Sequence, residues 1–130
     1  MYRKLLTFAA AMIGFAAAAQ AGDISTHVLN TSTGTGGAGI PVTLEMQKDG
    51  AWTEIGSGTT GENGRVESFG IDTEAALYRL NFDVSDYEAL GDDPFFPQIS
   101  ITFKIQDAER EHHHIPILIS PFGYATYLGN

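Results

Sequence analysis

Across residues 98–105 the side chains alternate without a break: Ile99, Ile101, Phe103 and Ile105 are apolar, while Ser100, Thr102 and Lys104 are polar. Successive side chains of a β-strand point to opposite faces. A period of two therefore gives one buried and one solvated face, whereas a helix would scatter the same residues around its circumference. The pattern recurs at 78–84, where Tyr78, Leu80, Phe82 and Val84 alternate with Arg79, Asn81 and Asp83, and again at 42–46. Further strands are expected at 25–29, 52–59, 65–69, 114–120 and 124–128. Clusters of turn-forming residues separate them at 34–39, 49–50, 61–64, 107–111 and 121–123. One short helix is expected at 85–90, opening on Ser85 as N-cap with Glu88 three residues on, and stopping at Gly91. Short, evenly spaced strands without alternating helices read as all-β: an eight-stranded antiparallel two-sheet sandwich with one short helix.

Residues 1–21 stand apart from this pattern. Arg3 and Lys4 precede an apolar stretch over 5–18, and Ala19-Gln20-Ala21 forms a small-x-small cleavage site, so the segment reads as a secretory signal peptide. As a membrane anchor it is short against the roughly 20 apolar residues that a span needs. Cleavage leaves residues 22–130, one domain of ordinary size, exported into a bacterial periplasm and held by no membrane. The chain has no cysteine, which removes disulfides and thiol chemistry from consideration. Without Arg3 and Lys4, five basic residues face sixteen acidic ones, a balance that repels nucleic acid and anionic lipid.

The richest segment is the C-terminal run from His112 to Asn130. On a strand His112, His114, Pro116 and Leu118 share one face, and His113, Ile115, Ile117 and Ile119 share the other. A small sandwich has one core, so a strand apolar on both faces points to burial of the second face against another copy of the chain. The three consecutive histidines cannot all close on one ion from a strand, because neighbours point apart; a set of His112, His114 and His27 stays open. Gly34-Thr35-Gly36-Gly37-Ala38-Gly39 has dinucleotide-fingerprint spacing, but Pro41 and an alternating strand follow it instead of a helix, so it reads as a loop. Taken alone, His27 on its strand and Arg65 beside the Glu62-Asn63-Gly64 turn read as ordinary structural residues.

Together these residues form a pattern. Ile24-Ser25-Thr26-His27-Val28-Leu29-Asn30, Gly39-Ile40-Pro41-Val42, Asn63-Gly64-Arg65, Phe95-Phe96-Pro97, the histidine pair, Ser120-Pro121-Phe122-Gly123-Tyr124 and Thr126-Tyr127 occur in this order along the whole of residues 22–130. In these motifs the chain resembles the transthyretin-like proteins, and most closely the 5-hydroxyisourate hydrolases of urate degradation. The resemblance implies a homotetramer with active sites in the channel between dimers. It also implies hydrolysis of 5-hydroxyisourate to 2-oxo-4-hydroxy-4-carboxy-5-ureidoimidazoline, with no cofactor and no metal. It assigns His27, Arg65 and His114 as the catalytic set and Tyr127 as a substrate contact, with Asn130 at the position of a substrate-orienting terminal residue. Imidazole, with an unperturbed pKa of about 6.5, accepts a proton from water near neutral pH, and guanidinium offsets charge growing on an attacked carbonyl. Either histidine can serve as the base, and His114 is favoured.

The chain departs from the family at its end. The family tail is Tyr-Arg-Gly-Ser, whereas this chain closes Tyr127-Leu128-Gly129-Asn130 and lacks the cation and the terminal hydroxyl. Smaller departures are Asn30, Asn63, Ala125 and His113. The altered tail motivates a second reading, an exported, non-catalytic transthyretin-like protein that holds a small ligand in the tetramer channel. The histidine cluster and acidic surface motivate a third, a metal-scavenging module.

Overall fold

The computed structural model describes residues 22–106 and 112–130. The signal peptide expected at 1–21 and the turn expected at 107–111 lie outside these residues. The chain runs β1 (Asp23–Asn30), β2 (Thr35–Gly36), β3 (Pro41–Lys48), β4 (Ala51–Thr59), β5 (Arg65–Val66), β6 (Ala76–Asp83), β7 (Gln98–Ile105), β8 (His112–Ser120) and β9 (Gly123–Thr126). One sheet has the order β4-β3-β6-β7. The other runs β2-β1-β8-β9, with β5 also paired to β1.

Each of the eight expected segments contains a strand, and the short β2 within the loop at 34–39 is an addition. The 65–69 segment contracts to the two residues of β5. The fully antiparallel expectation needs one correction: β1 and β8 pair in parallel over their length, Asp23 beside His112 through Asn30 beside Ile119. A parallel pair needs a long crossover, and here the entire second sheet supplies it. The helix at 85–90 is also corrected. Only Glu88–Leu90 forms a single 3-10 turn, with no side-chain cap, because Ser85 turns its hydroxyl back to Asp83 Oδ1 at 2.6 Å. Gly91 does stop the turn: its φ is 88° and its N–H bonds the Glu88 carbonyl at 2.9 Å.

The alternating residues build the core between the sheets. Tyr78, Leu80 and Phe82 of β6 are fully buried, as are Val42 and Leu44 of β3, and they pack against Ile24 and Val28 of β1 and Ile115, Ile117 and Ile119 of β8. Burying each such side chain contributes about 1.5–3 kcal/mol. Polar groups caught in this layer are bonded: Thr26 donates to the Ile115 carbonyl at 2.6 Å, tying β1 to β8. With His113 facing inward among these residues, His112 and His114 stand on the outer face of the β8 sheet, as the period-two reading expects. The outer face of β8 is itself half covered, with Pro116 buried and Leu118 intermediate.

Candidate active site

Strand register assembles the site on the outer face of the β1-β8 sheet. On β1 the inward residues Ile24, Thr26, Val28 and Asn30 leave Asp23, Ser25, His27 and Leu29 pointing out. The parallel register sets Asp23 beside His112, Ser25 beside His114 and His27 beside Pro116. On the other side of β1, His27 is the direct partner of Arg65 in β5. His27, Arg65 and His114, far apart in sequence, therefore occupy neighbouring positions on one face.

Local chemistry holds each of them. Arg65 follows a tight turn in which Gly64 N–H bonds the Gly61 carbonyl at 2.9 Å and the Arg65 carbonyl accepts from Gly61 N–H at 3.0 Å. The Asn63 side chain caps the turn, its Oδ1 accepting the Arg65 N–H at 3.0 Å. Gly64 has φ of 82°, and its carbonyl accepts Val28 N–H at 2.8 Å, which fixes the turn against β1. His27 Nε2–H donates to the Asn63 carbonyl at 2.9 Å. A carbonyl only accepts, so this bond leaves His27 Nδ1 as the nitrogen free to take a proton.

His114 is held from two sides. Its Nδ1 lies 2.7 Å from Ser25 Oγ, and the same hydroxyl lies 2.7 Å from His112 Nε2. At the chain's end, Gly129 N–H donates to the His114 carbonyl at 2.8 Å, and the tail passes so close that a Cβ on Gly129 would lie 2.8 Å from His114 Cδ2. Partial burial lowers the His114 pKa below that of a free imidazole. The positive charges of Arg65, His112 and His27 lower it further, and Glu67 opposes them. The result is a neutral imidazole that turns Nδ1 to Ser25 and keeps Nε2 for the outer face.

The remaining expected residues lie toward the C-terminus. Tyr127 is 58% exposed and borders a cavity of about 430 Å³ with Phe103, His113 and Ile115, at the open side of the sandwich between β7 and β8. It thus borders the His113 side of β8 rather than the face carrying His114. Asn130 is exposed and directly follows Gly129. Among the described residues no group of three or more His, Cys, Asp or Glu is placed to hold a metal ion. Sequence reasoning overlooked Ser25 and Gly129 as parts of the site. Ser25 was detectable, since it lies two residues before His27 on one strand and so shares its face; Gly129 gave no local signal.

The chain as a whole is similar to known proteins. Residues 24–129 match the model of the HIUase/Transthyretin family. The chain is 36% identical over 137 residues to a 5-hydroxyisourate hydrolase of Salmonella typhi, covering the whole of both chains. It is 37% identical over 110 residues to a probable 5-hydroxyisourate hydrolase of Caenorhabditis elegans, covering 82% of this chain and 81% of the relative. Among solved structures, the 5-hydroxyisourate hydrolase of Klebsiella pneumoniae superposes with a TM-score of 0.71 at 32% identity, over 84% of this chain and 99% of that one. Sea bream transthyretin in complex with thyroxine gives 0.75 at 25% identity, over 82% and 94%.

Proposed function

The chain belongs to the HIUase/transthyretin family, and from that membership we propose that it hydrolyses 5-hydroxyisourate, in urate degradation, through His27, Arg65 and His114. The observation that carries this reading is the convergence of two imidazoles and a guanidinium on one sheet face, brought there by the β1-β5 and β1-β8 registers. His114 Nε2 takes a proton from water, and the resulting hydroxide attacks a ring carbonyl. Arg65 holds the ring oxygens and offsets the negative charge that builds on the attacked oxygen. Collapse of the adduct opens the ring as the leaving nitrogen regains a proton, giving 2-oxo-4-hydroxy-4-carboxy-5-ureidoimidazoline. A depressed His114 pKa suits a base that must be unprotonated at neutral pH. His27, whose Nε2–H is committed to the Asn63 carbonyl, is assigned to binding the substrate, its Nδ1 accepting a substrate N–H.

In this proposal Asn130 completes the substrate site from the tail that crosses His114, and Tyr127, which borders the His113 side of β8 in its own chain, contacts substrate only through the assembly. The chain assembles as a homotetramer and is exported to the periplasm after cleavage behind Ala21. Support for assembly comes from apolar side chains that a lone chain leaves open, with Phe95, Phe122, Tyr127 and Leu128 each more than half exposed. The altered tail, Leu128 and Asn130, favours the second reading, a transthyretin-like ligand carrier. One assay separates the two: purified protein is added to freshly generated 5-hydroxyisourate and the ultraviolet decay is compared with the spontaneous rate. A hydrolase accelerates the decay in proportion to protein added, and a carrier leaves the rate unchanged.

A further inference from the structure

Ser25 raises a question that the three proposed catalytic residues do not answer. Its hydroxyl is buried, with the residue 4% exposed, and lies 2.7 Å from a nitrogen of each of two histidines. A serine hydroxyl carries one proton and can donate it to one partner only; from the other it must accept. Of the two imidazole nitrogens that face it, one therefore carries hydrogen and the other is bare. The tautomers of His112 and His114 are locked together: either both are Nδ1–H or both are Nε2–H. His114 presents a bare Nε2 to water only in the first state, where His114 Nδ1–H donates to Ser25 and Ser25 donates to His112 Nε2.

We propose that Ser25 and His112 form a proton relay that carries the charge of catalysis from partly buried His114 to the solvent-exposed imidazole of His112. The inference rests on the hydrolase reading given above. Its steps balance. As water gives a proton to His114 Nε2, the Nδ1 proton of His114 passes to Ser25 Oγ, and the Ser25 hydroxyl proton passes to His112 Nε2. The outcome is a hydroxide at the substrate, a neutral His114 now protonated at Nε2, and an imidazolium at His112. When the ring opens, His114 Nε2–H protonates the leaving nitrogen. The relay then runs backwards, His112 Nε2–H to Ser25 and Ser25 to His114 Nδ1, restoring the starting state with no net proton gained or lost.

Geometry favours parking the charge on His112. His114 is half-buried beside Arg65 and His27, with Glu67 as the opposing charge, whereas His112 is exposed at the edge of the same face. The carboxylate in register with His112, Asp23, is engaged elsewhere: it accepts from the backbone N–H groups of Ile24 at 2.7 Å and Phe69 at 3.3 Å, and from the Ser68 hydroxyl. Ser25, which touches His114, and His112, which reaches it through Ser25, are thus positioning and relay residues rather than substrate contacts.

The test uses the whole protein with His112→Ala, Ser25→Ala and Ser25→Thr, in dilute buffer with and without added imidazole. With a general base worth roughly 100 to 10,000-fold, loss of its relay should lower kcat by about 10 to 100-fold and leave KM unaltered. Added imidazole should restore His112→Ala, because a soluble base replaces the lost terminus, and Ser25→Thr should keep most of the turnover that Ser25→Ala loses. Wild-type kcat in folded His112→Ala, or a loss that imidazole does not relieve, overturns the relay while leaving a wild-type hydrolase intact. Should the wild type not accelerate decay at all, the hydrolase reading is what fails, and the relay is decided by nitrogen-15 NMR of the histidine rings. Matched Nδ1–H tautomers of His112 and His114 that uncouple in Ser25→Ala support it; one tautomer of each kind in the wild type overturns it.

Discussion

Replacing Gly64 with alanine tests how the turn holds Arg65. The backbone there has φ of 82°, and a Cβ would run into the Val28 carbonyl oxygen while lying 2.8 Å from the Gly37 nitrogen. Both atoms are backbone and cannot rotate away. The left-handed conformation alone costs a non-glycine residue about 1–2 kcal/mol. Relieving the clash means moving the turn off β1, which endangers the bonds Val28 N–H to Gly64 carbonyl and Gly37 N–H to Val28 carbonyl, both 2.8 Å. At about 0.5–1.5 kcal/mol each, against a gain of about 0.4–1 kcal/mol from stiffening the unfolded chain, the net loss is about 1–4.5 kcal/mol. For a domain of roughly 100 residues each kcal/mol shifts Tm by about 4–8 °C, so Tm should fall by about 4–36 °C. Thermal unfolding followed by circular dichroism measures the shift. Decay of 5-hydroxyisourate, followed well below the new Tm, should show at least a roughly tenfold loss of kcat/KM, because the displaced turn carries Arg65 with it. A Tm within 3 °C of wild type would refute the packing argument.

Other expectations are as definite. Gly129→Ala pushes a methyl onto the His114 ring; since misplacing a reacting group by about 1 Å can cost about 100-fold, kcat should drop about 10 to 100-fold while Tm, measured by calorimetry, moves little. Because the folded-state pKa of His114 is depressed, its base form persists below the usual imidazole pKa, so the acid limb of the kcat/KM profile should lie below about pH 6.5. The same depression means the native state binds fewer protons than the unfolded chain. His114 thus contributes stability above its unfolded pKa that is lost as pH falls through the folded value, which urea titrations from pH 8 to 5 will detect as a falling midpoint. Ile117→Ala, at a fully buried position between the sheets, should cost about 2–5 kcal/mol in urea unfolding.

The parts of the fold that sequence made legible are those governed by side-chain period. The 98–105 strand was bounded correctly, and the assignment of His113 to the inner face of β8 and of His112 and His114 to its outer face followed from alternation alone. The failures came where a local signal met a non-local partner. Ser85 and Glu88 satisfy a capping pattern, yet Ser85 found Asp83 behind it and the chain made only a single turn. The parallel pairing of β1 with β8 joins residues 89 apart, such as Ser25 and His114, and no window of sequence encodes it. That pairing is what converts His27 and His114 from isolated strand residues into neighbours, so family resemblance, rather than spacing, pointed to the pair. It is also why Ser25 escaped notice: its two partners appear only when β1 and β8 lie side by side.

Parallel measurement of turnover and fold in His114→Ala and Arg65→Ala bears most directly on the proposed chemistry. The rate of 5-hydroxyisourate decay should fall roughly 100 to 10,000-fold in each variant, with circular dichroism and Tm close to those of the wild type. Near-wild-type decay by either folded variant would remove that residue from the reaction and contradict the shared face as the seat of hydrolysis.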